Sequence, residues 1–172
     1  MTPDHVDRIQ QEWARERPDV DVRPQGVIGR LHRLALALTD EITEVYREHG
    51  LGEGEFDVLA ALRRAGEPFE RAPGDLAAHT MVTTGAMTKR VDRLERAGLV
   101  SRRPSADDGR GRVVALTPRG REVIDAAFTA HMANERRLLD LLGPEQDAVE
   151  LERLLRRWLG ALDSTSGGRA AF

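Results

Sequence analysis

One short β signal sits inside a chain that otherwise reads as helix after helix. Residues 99–103 and 112–116 (LVSRR and RVVAL) are rich in β-branched and apolar types, and they flank PSADDGRG, a turn segment dense in Asp and Gly. A single hairpin among helices confines the chain to mainly α architectures in which the two strands project or cap. Composition agrees: 32% of residues are charged, only 4% are aromatic, and Ala, Leu, Arg and Glu dominate. At 172 residues the chain suits one domain with extensions and can bury a real core.

The helices follow from periodicity. Thr2-Pro3-Asp4 reads as a helix start, and Val6, Ile9 and Trp13 recur at spacings of three and four to about residue 17. Pro18, Asp19, Asp21 and Pro24 break the pattern, so this helix stands apart on a linker. A long stripe of Val27, Leu31, Leu34, Leu38, Ile42 and Val45 then predicts a helix over 24–46, ended by His49-Gly50. Phe56, Leu59 and Leu62 predict a third over 53–65, ended by Gly66-Glu67-Pro68. A short helix over 74–79 precedes one from Thr83-Thr84 to residue 97, with Met87, Val91 and Leu94 inward and Gly98 at its left-handed end. After the hairpin, Thr117-Pro118 reads as a cap and first-turn proline of a helix to about 142, with Ile124, Phe128, Leu138 and Leu142 on its face. Gly143-Pro144 breaks it, and a last helix over 145–162 carries Leu151, Leu155, Trp158 and Leu162. The tail over 164–172 is small, polar and expected to fray.

Helix, two short helices and then a hairpin is the order of a winged helix-turn-helix. A tight turn sets the second short helix at an angle from which it can enter a major groove. The expected organisation is an extra helix and linker (1–22), a scaffold helix (23–50), a DNA-binding unit (51–117), dimerisation helices (118–163) and the tail. The outer helices have apolar faces that the central unit does not need, so they are expected to bury against a second copy in a homodimer. Charge distribution points the same way. The protein carries a net charge of −3, yet the segment 81–112 holds eight basic residues against four acidic ones. The bland alternative is a solvated helix face laced with ion pairs.

Other classes are excluded or disfavoured. With no cysteine there is no disulfide, thiolate nucleophile or Cys-ligated zinc. Apolar runs are far too short to span a bilayer, and the N-terminus lacks a signal-peptide pattern, so a cytoplasmic protein without a membrane partner is expected. His5, His32, His49, His79 and His131 show no tight ligand spacing, so neither a metal nor a cofactor is expected. No glycine-rich phosphate loop or G-x-S-x-G elbow marks an enzyme.

The run DGRGRVVALTPRG from Asp108 resembles the wing signature of the MarR (multiple antibiotic resistance regulator) family, matching at Asp108, Arg110, Val114, Leu116, Thr117 and Gly120. The segment TTGAMTKRVDRLERAGLV from Thr83 is similar to that family's recognition helix, and the resemblance covers about 24–163. It implies a dimeric winged-helix regulator, mainly α with a small hairpin, that binds a palindromic double-stranded operator. It also implies that Arg110 reaches into a minor groove, steadied by Asp108, a role that suits the negative potential of a narrow groove. Thr83, Thr84, Thr88, Lys89, Arg93 and Arg112 complete the expected DNA-contacting set, although the threonines could equally cap the helix.

The first helix, DRIQQEW, narrows the resemblance to the urate-responsive (UrtR) subfamily, with its HucR-like and PecS-like repressors. Trp13, Asp57, Arg90 and Arg102 fall where that subfamily places its effector-binding residues. The resemblance implies release from DNA by a small anionic effector. An arginine can pair with urate, an indole can stack on it, and a carboxylate such as Asp57 would be displaced by it. Bland readings stand beside these: Trp13 as a packing anchor, Asp57 as an ion-pair partner or cap, Arg90 as a phosphate contact, and Arg103 serving as well as Arg102. Citrate-like or phenolic acids and antibiotics are alternative effectors. An effector-independent architectural DNA-binding protein and a protein-interaction module are the rival functions.

Overall fold

The computed structural model describes residues 2–80, 84–104 and 112–165, with the side chains of 84–86 outside the description. Among the described residues, seven helices and three short strands run in the order α1 (His5–Glu16), α2 (Arg23–Glu48), α3 (Glu53–Arg64), β1 (Glu70–Arg71), α4 (Pro73–His79), α5 (Thr84–Arg96), β2 (Val100–Pro104), β3 (Arg112–Leu116), α6 (Pro118–Asp140) and α7 (Glu145–Thr165). Contacts divide the chain into two compact units, residues 1–44 and 45–172. The expected end of the last helix at 162 lies three residues short of the observed one, and the expected DNA contacts Thr83, Asp108 and Arg110 lie outside the described residues.

In the first unit, Asp4 rather than Thr2 caps α1. Its carboxylate accepts from the N–H groups of Val6 (2.7 Å) and Asp7 (3.0 Å), and Asp7 returns the bond to the Asp4 N–H (2.9 Å). This reciprocal pair satisfies N–H groups that a helix start leaves open. Arg30 on α2 reaches both carboxylates, at 2.8 Å to Asp4 and 2.7 Å to Asp7. Val6, the buried residue of α1, faces Gly29, and Gln10 donates to the Val22 carbonyl (2.9 Å). The extra helix is thus docked onto the start of α2 by one apolar residue and a charged clasp.

The second unit holds the core. Val58, Leu59 and Leu62 of α3, Leu76 of α4, Leu94 of α5, Val114 of β3 and Ile124 of α6 are its large, fully buried side chains. Met87 and Val91 join them, as the α5 periodicity predicts. Gly98 closes α5 at φ +71°, and Leu99 N–H reaches back to the Leu94 carbonyl (2.9 Å), so the glycine end is a left-handed cap. The sheet has three antiparallel strands in the order β1-β3-β2, with Ser101 opposite Ala115 and Glu70 also opposite Ala115. The hairpin was legible in sequence. The third strand was not, because two residues carry no alternation and β1 exists only by pairing with β3.

One junction fixes the wing to the helices. Thr117 caps α6 by accepting from the Gly120 N–H (2.9 Å), and its hydroxyl donates to the Gly98 carbonyl (2.8 Å). Gly120 lies against the Leu99 carbonyl so closely that a Cβ there would stand 1.9 Å from its oxygen. Backbone on both sides leaves no room to yield. Among the described residues no helix is long and apolar enough to cross a membrane. Gly120→Ala is therefore expected to destabilise the protein by about 3 kcal/mol, at the upper end of overpacking costs. Urea denaturation checks it, and an unchanged midpoint would contradict the close approach.

Candidate functional site

The side chains expected from the sequence to face DNA that the structure describes come from α5 and β3. Thr88 and Lys89 stand exposed on α5, and Arg112 stands exposed at the start of β3. Arg93 is also exposed, yet its Nε lies 2.9 Å from Glu55 on α3, a carboxylate that is only 15% exposed. Arg93 is therefore oriented by α3 before any phosphate arrives. Glu55 in turn accepts from the Gly52 N–H (2.8 Å) at the start of α3. Thr84 is the first residue of α5, and its side chain lies outside the description.

The proposed effector residues are distributed unevenly. Trp13 lies in the first unit, half exposed, beside a shallow cleft shared with Arg17, Val20, Val22 and Pro24. Asp57 lies in the second unit, part-buried on α3, in the wall of a cleft of about 630 Å³. That cleft is formed by α3, the end of α2, α4 and α6. Tyr46, Phe56, Ile124 and Phe128 give it apolar walls, while Asp57, Arg63, Arg64, Thr80 and His131 supply polar groups. Such a mixture, mainly apolar with a few convergent charges, is what a small organic ligand needs. Tyr46 stacks on Phe56 (4.0 Å between centroids), and His131 sits 5.2 Å from the Phe56 ring. His131 is bonded to Glu135 (3.1 Å) at its other side.

Electrostatics in the cleft favour neutral forms. Burial, then the Glu53 charge, pushes the Asp57 carboxyl above its ordinary range, partly offset by Arg90 and Arg64. Burial, with Asp57 as the next cause, pushes the Tyr46 hydroxyl up to about 12. Asp57 and Arg90 are thus electrically linked although they sit on different helices. Arg90 itself lies flat against the α3 backbone: a Cβ at Gly54 would fall 2.0 Å from its Cζ. Its Nη1 is buried with no hydrogen-bond partner among the described residues. An unsatisfied buried donor costs about 1–3 kcal/mol, so the resting position of Arg90 leaves bonding capacity unused.

Arg102 is placed differently. Its guanidinium is gripped by Asp92 and Glu95, both on α5, and of the four expected effector residues Asp57 lines the cleft whereas Trp13, Arg90 and Arg102 do not. Arg103, its neighbour on β2, turns to the other face and bonds Glu70 of β1 (2.8 Å from Nε). Sequence reasoning missed Arg63, Arg64, Tyr46 and His131 as cleft residues. No local pattern marks them, since they converge only when α2, α3 and α6 pack. No group of three or more His, Asp or Glu able to hold a metal occurs among the described residues.

The sequence pattern of the MarR family matches residues 49–111. The chain is 38% identical to the HTH-type transcriptional regulator PecS of Dickeya dadantii, over 88% of this chain and 91% of that protein. It is similar to the crystal structure of Sco3205, a MarR family transcriptional regulator from Streptomyces coelicolor in complex with DNA, with a TM-score of 0.70, 26% identity and coverage of 83% and 93%. It is also similar to the Mycobacterium tuberculosis MarR family protein Rv2887 in complex with p-aminosalicylic acid, with a TM-score of 0.59, 30% identity and coverage of 74% and 94%.

The raised Asp57 pKa has a sign. A carboxyl whose folded pKa lies above its unfolded value holds its proton more tightly when folded, so it withdraws stability as pH rises through that window. Asp57→Asn is expected to raise the urea midpoint at pH 7, with the gain shrinking toward pH 4. A gain independent of pH, or a loss at pH 7, would show that the Asp57 charge is satisfied where it lies.

Proposed function

The chain belongs to the MarR family of DNA-binding transcriptional regulators, which are not enzymes, and from that premise we propose that it is a repressor released from its operator by a small anionic effector. The observation that carries this reading is Arg90: a cation on the recognition helix with a buried N–H unpaired among the described residues, whose charge acts on Asp57 in the wall of a ligand-sized cleft that Arg90 itself does not line. An anion entering the cleft would repel Asp57 and offer Arg90 a charge-assisted bond. Arg90 packs on the α3 backbone at Gly54, so drawing it toward an anion disturbs the contact between α5 and α3, and a ligand that prefers the disturbed state lowers DNA affinity.

Urate is the proposed effector, with Asp57 and Arg90 as the responding pair and Trp13 proposed to be needed for the response. The similarity to PecS supports it. A second reading, an aromatic carboxylic acid, is favoured by the similarity to a regulator bound to p-aminosalicylic acid. The DNA-contacting set is proposed as Thr83, Thr84, Thr88, Lys89, Arg93, Asp108, Arg110 and Arg112 on a palindromic operator, read in the cytoplasm. A homodimer is proposed because large apolar side chains stand exposed along α2 (Val27, Leu34), α6 (Phe128, Leu139) and α7 (Val149, Leu159). Residues 23–50 and 118–163 are its proposed scaffold, flanking a DNA-binding unit at 51–117.

The test is a gel shift with the DNA upstream of the gene, titrated with urate, with p-aminosalicylate and with a neutral purine at equal ionic strength. Release by urate alone supports the first reading, release by the aromatic acid alone supports the second, and release by neither overturns effector control by these classes. Trp13→Ala is expected to keep DNA binding and lose urate release. Arg110→Ala is expected to weaken binding to all duplexes and to lower the salt slope by about 1. Unchanged affinity and slope would remove the wing from the interface.

A further inference from the structure

Two arginines stand side by side at the base of the wing, and the cleft uses neither. Successive residues of a strand point to opposite faces, so β2 sends Arg102 toward α5 and Arg103 toward β1. Arg102 meets two acids one turn apart on the recognition helix, Asp92 through Nη2 and Glu95 through Nη1. Its own backbone N–H donates to the other Glu95 oxygen (3.1 Å). The Arg102 side chain is only 22% exposed. One residue therefore joins strand and helix by backbone and side chain together. Arg103 closes the opposite face onto Glu70, whose side chain is 18% exposed.

We propose that Arg102 is a positioning residue: through Asp92 and Glu95 it locks the arm of the wing to the recognition helix, so that both enter DNA as one rigid reader. The physical reason lies in what DNA reading demands. Helix and wing must meet different grooves in one register, and a loose arm loses orientational freedom only on binding, which lowers affinity. The acids also explain themselves. Two carboxylates on a DNA-facing helix repel phosphate, a standing cost that the lock offsets by holding Arg102 where a planar fork can meet both. The lock is independent of the effector chemistry proposed above, because it acts on the DNA-bound and free protein alike.

The test reads specificity rather than affinity, so that added or removed charge cancels. A high-affinity duplex is selected from a random pool by the wild-type protein, and its Kd is divided into that of a scrambled duplex at one salt concentration. Arg102→Gln and the double variant D92N/E95Q are each expected to lower this ratio about tenfold. Combining all three changes should lower it no further, because both act through one interaction. Thermal midpoints identify any variant that fails to fold, and Arg102→Lys should restore part of the ratio by keeping the charge. An additive loss in the triple variant would overturn the lock. So would an unchanged ratio in D92N/E95Q or in Arg102→Gln.

Discussion

The reading head depends on one backbone collision that a glycine avoids. Leu99 presents its carbonyl to the start of α6, and the contact closes only because Gly120 has no Cβ. Thr117 completes the joint by capping α6 and bonding the last carbonyl after α5. Four pieces of chain meet there: the end of the recognition helix, the start of β2, the end of β3 and the start of α6. The strands of the wing and the end of α5 are therefore joined to the start of α6 through the same few atoms.

The second unit is arranged so that its charges answer one another across elements. Glu55 orients Arg93, Asp92 and Glu95 hold Arg102, Glu70 holds Arg103, and Asp125 bonds Arg63 (2.7 Å). Pairs this exposed add little stability singly. Their effect is geometric: they fix where long side chains point. Arg90 is the exception. It packs on the α3 backbone with a donor unused among the described residues, and its charge partly offsets the upward push of burial on the Asp57 carboxyl.

Much of this was legible in the residues. Local rules placed the α5 glycine cap, the Thr117 cap with its proline, and the inward faces of α3 and α5, because each depends on neighbours within one or two turns. The second of the two strands was placed to the residue, as turn chemistry and β-branched residues coincide there. Phe128 was expected on an inner face of α6 but stands 51% exposed, because periodicity finds an apolar stripe without saying what covers it. The clustering of Arg, Lys and wing glycines pointed to nucleic acid without any tertiary knowledge.

What the sequence determined by itself was the element order, the helical faces and the basic segment, all consequences of short-range periodicity and composition. The partners of the charges were decided by tertiary structure alone. Nothing local distinguishes Arg102 from Arg103, or says that Glu55 will meet Arg93, or that Tyr46, Phe56 and His131 will share one cleft. Those choices follow from strand alternation and helix packing across long stretches of chain, where a side chain's role is set by which surface happens to face it.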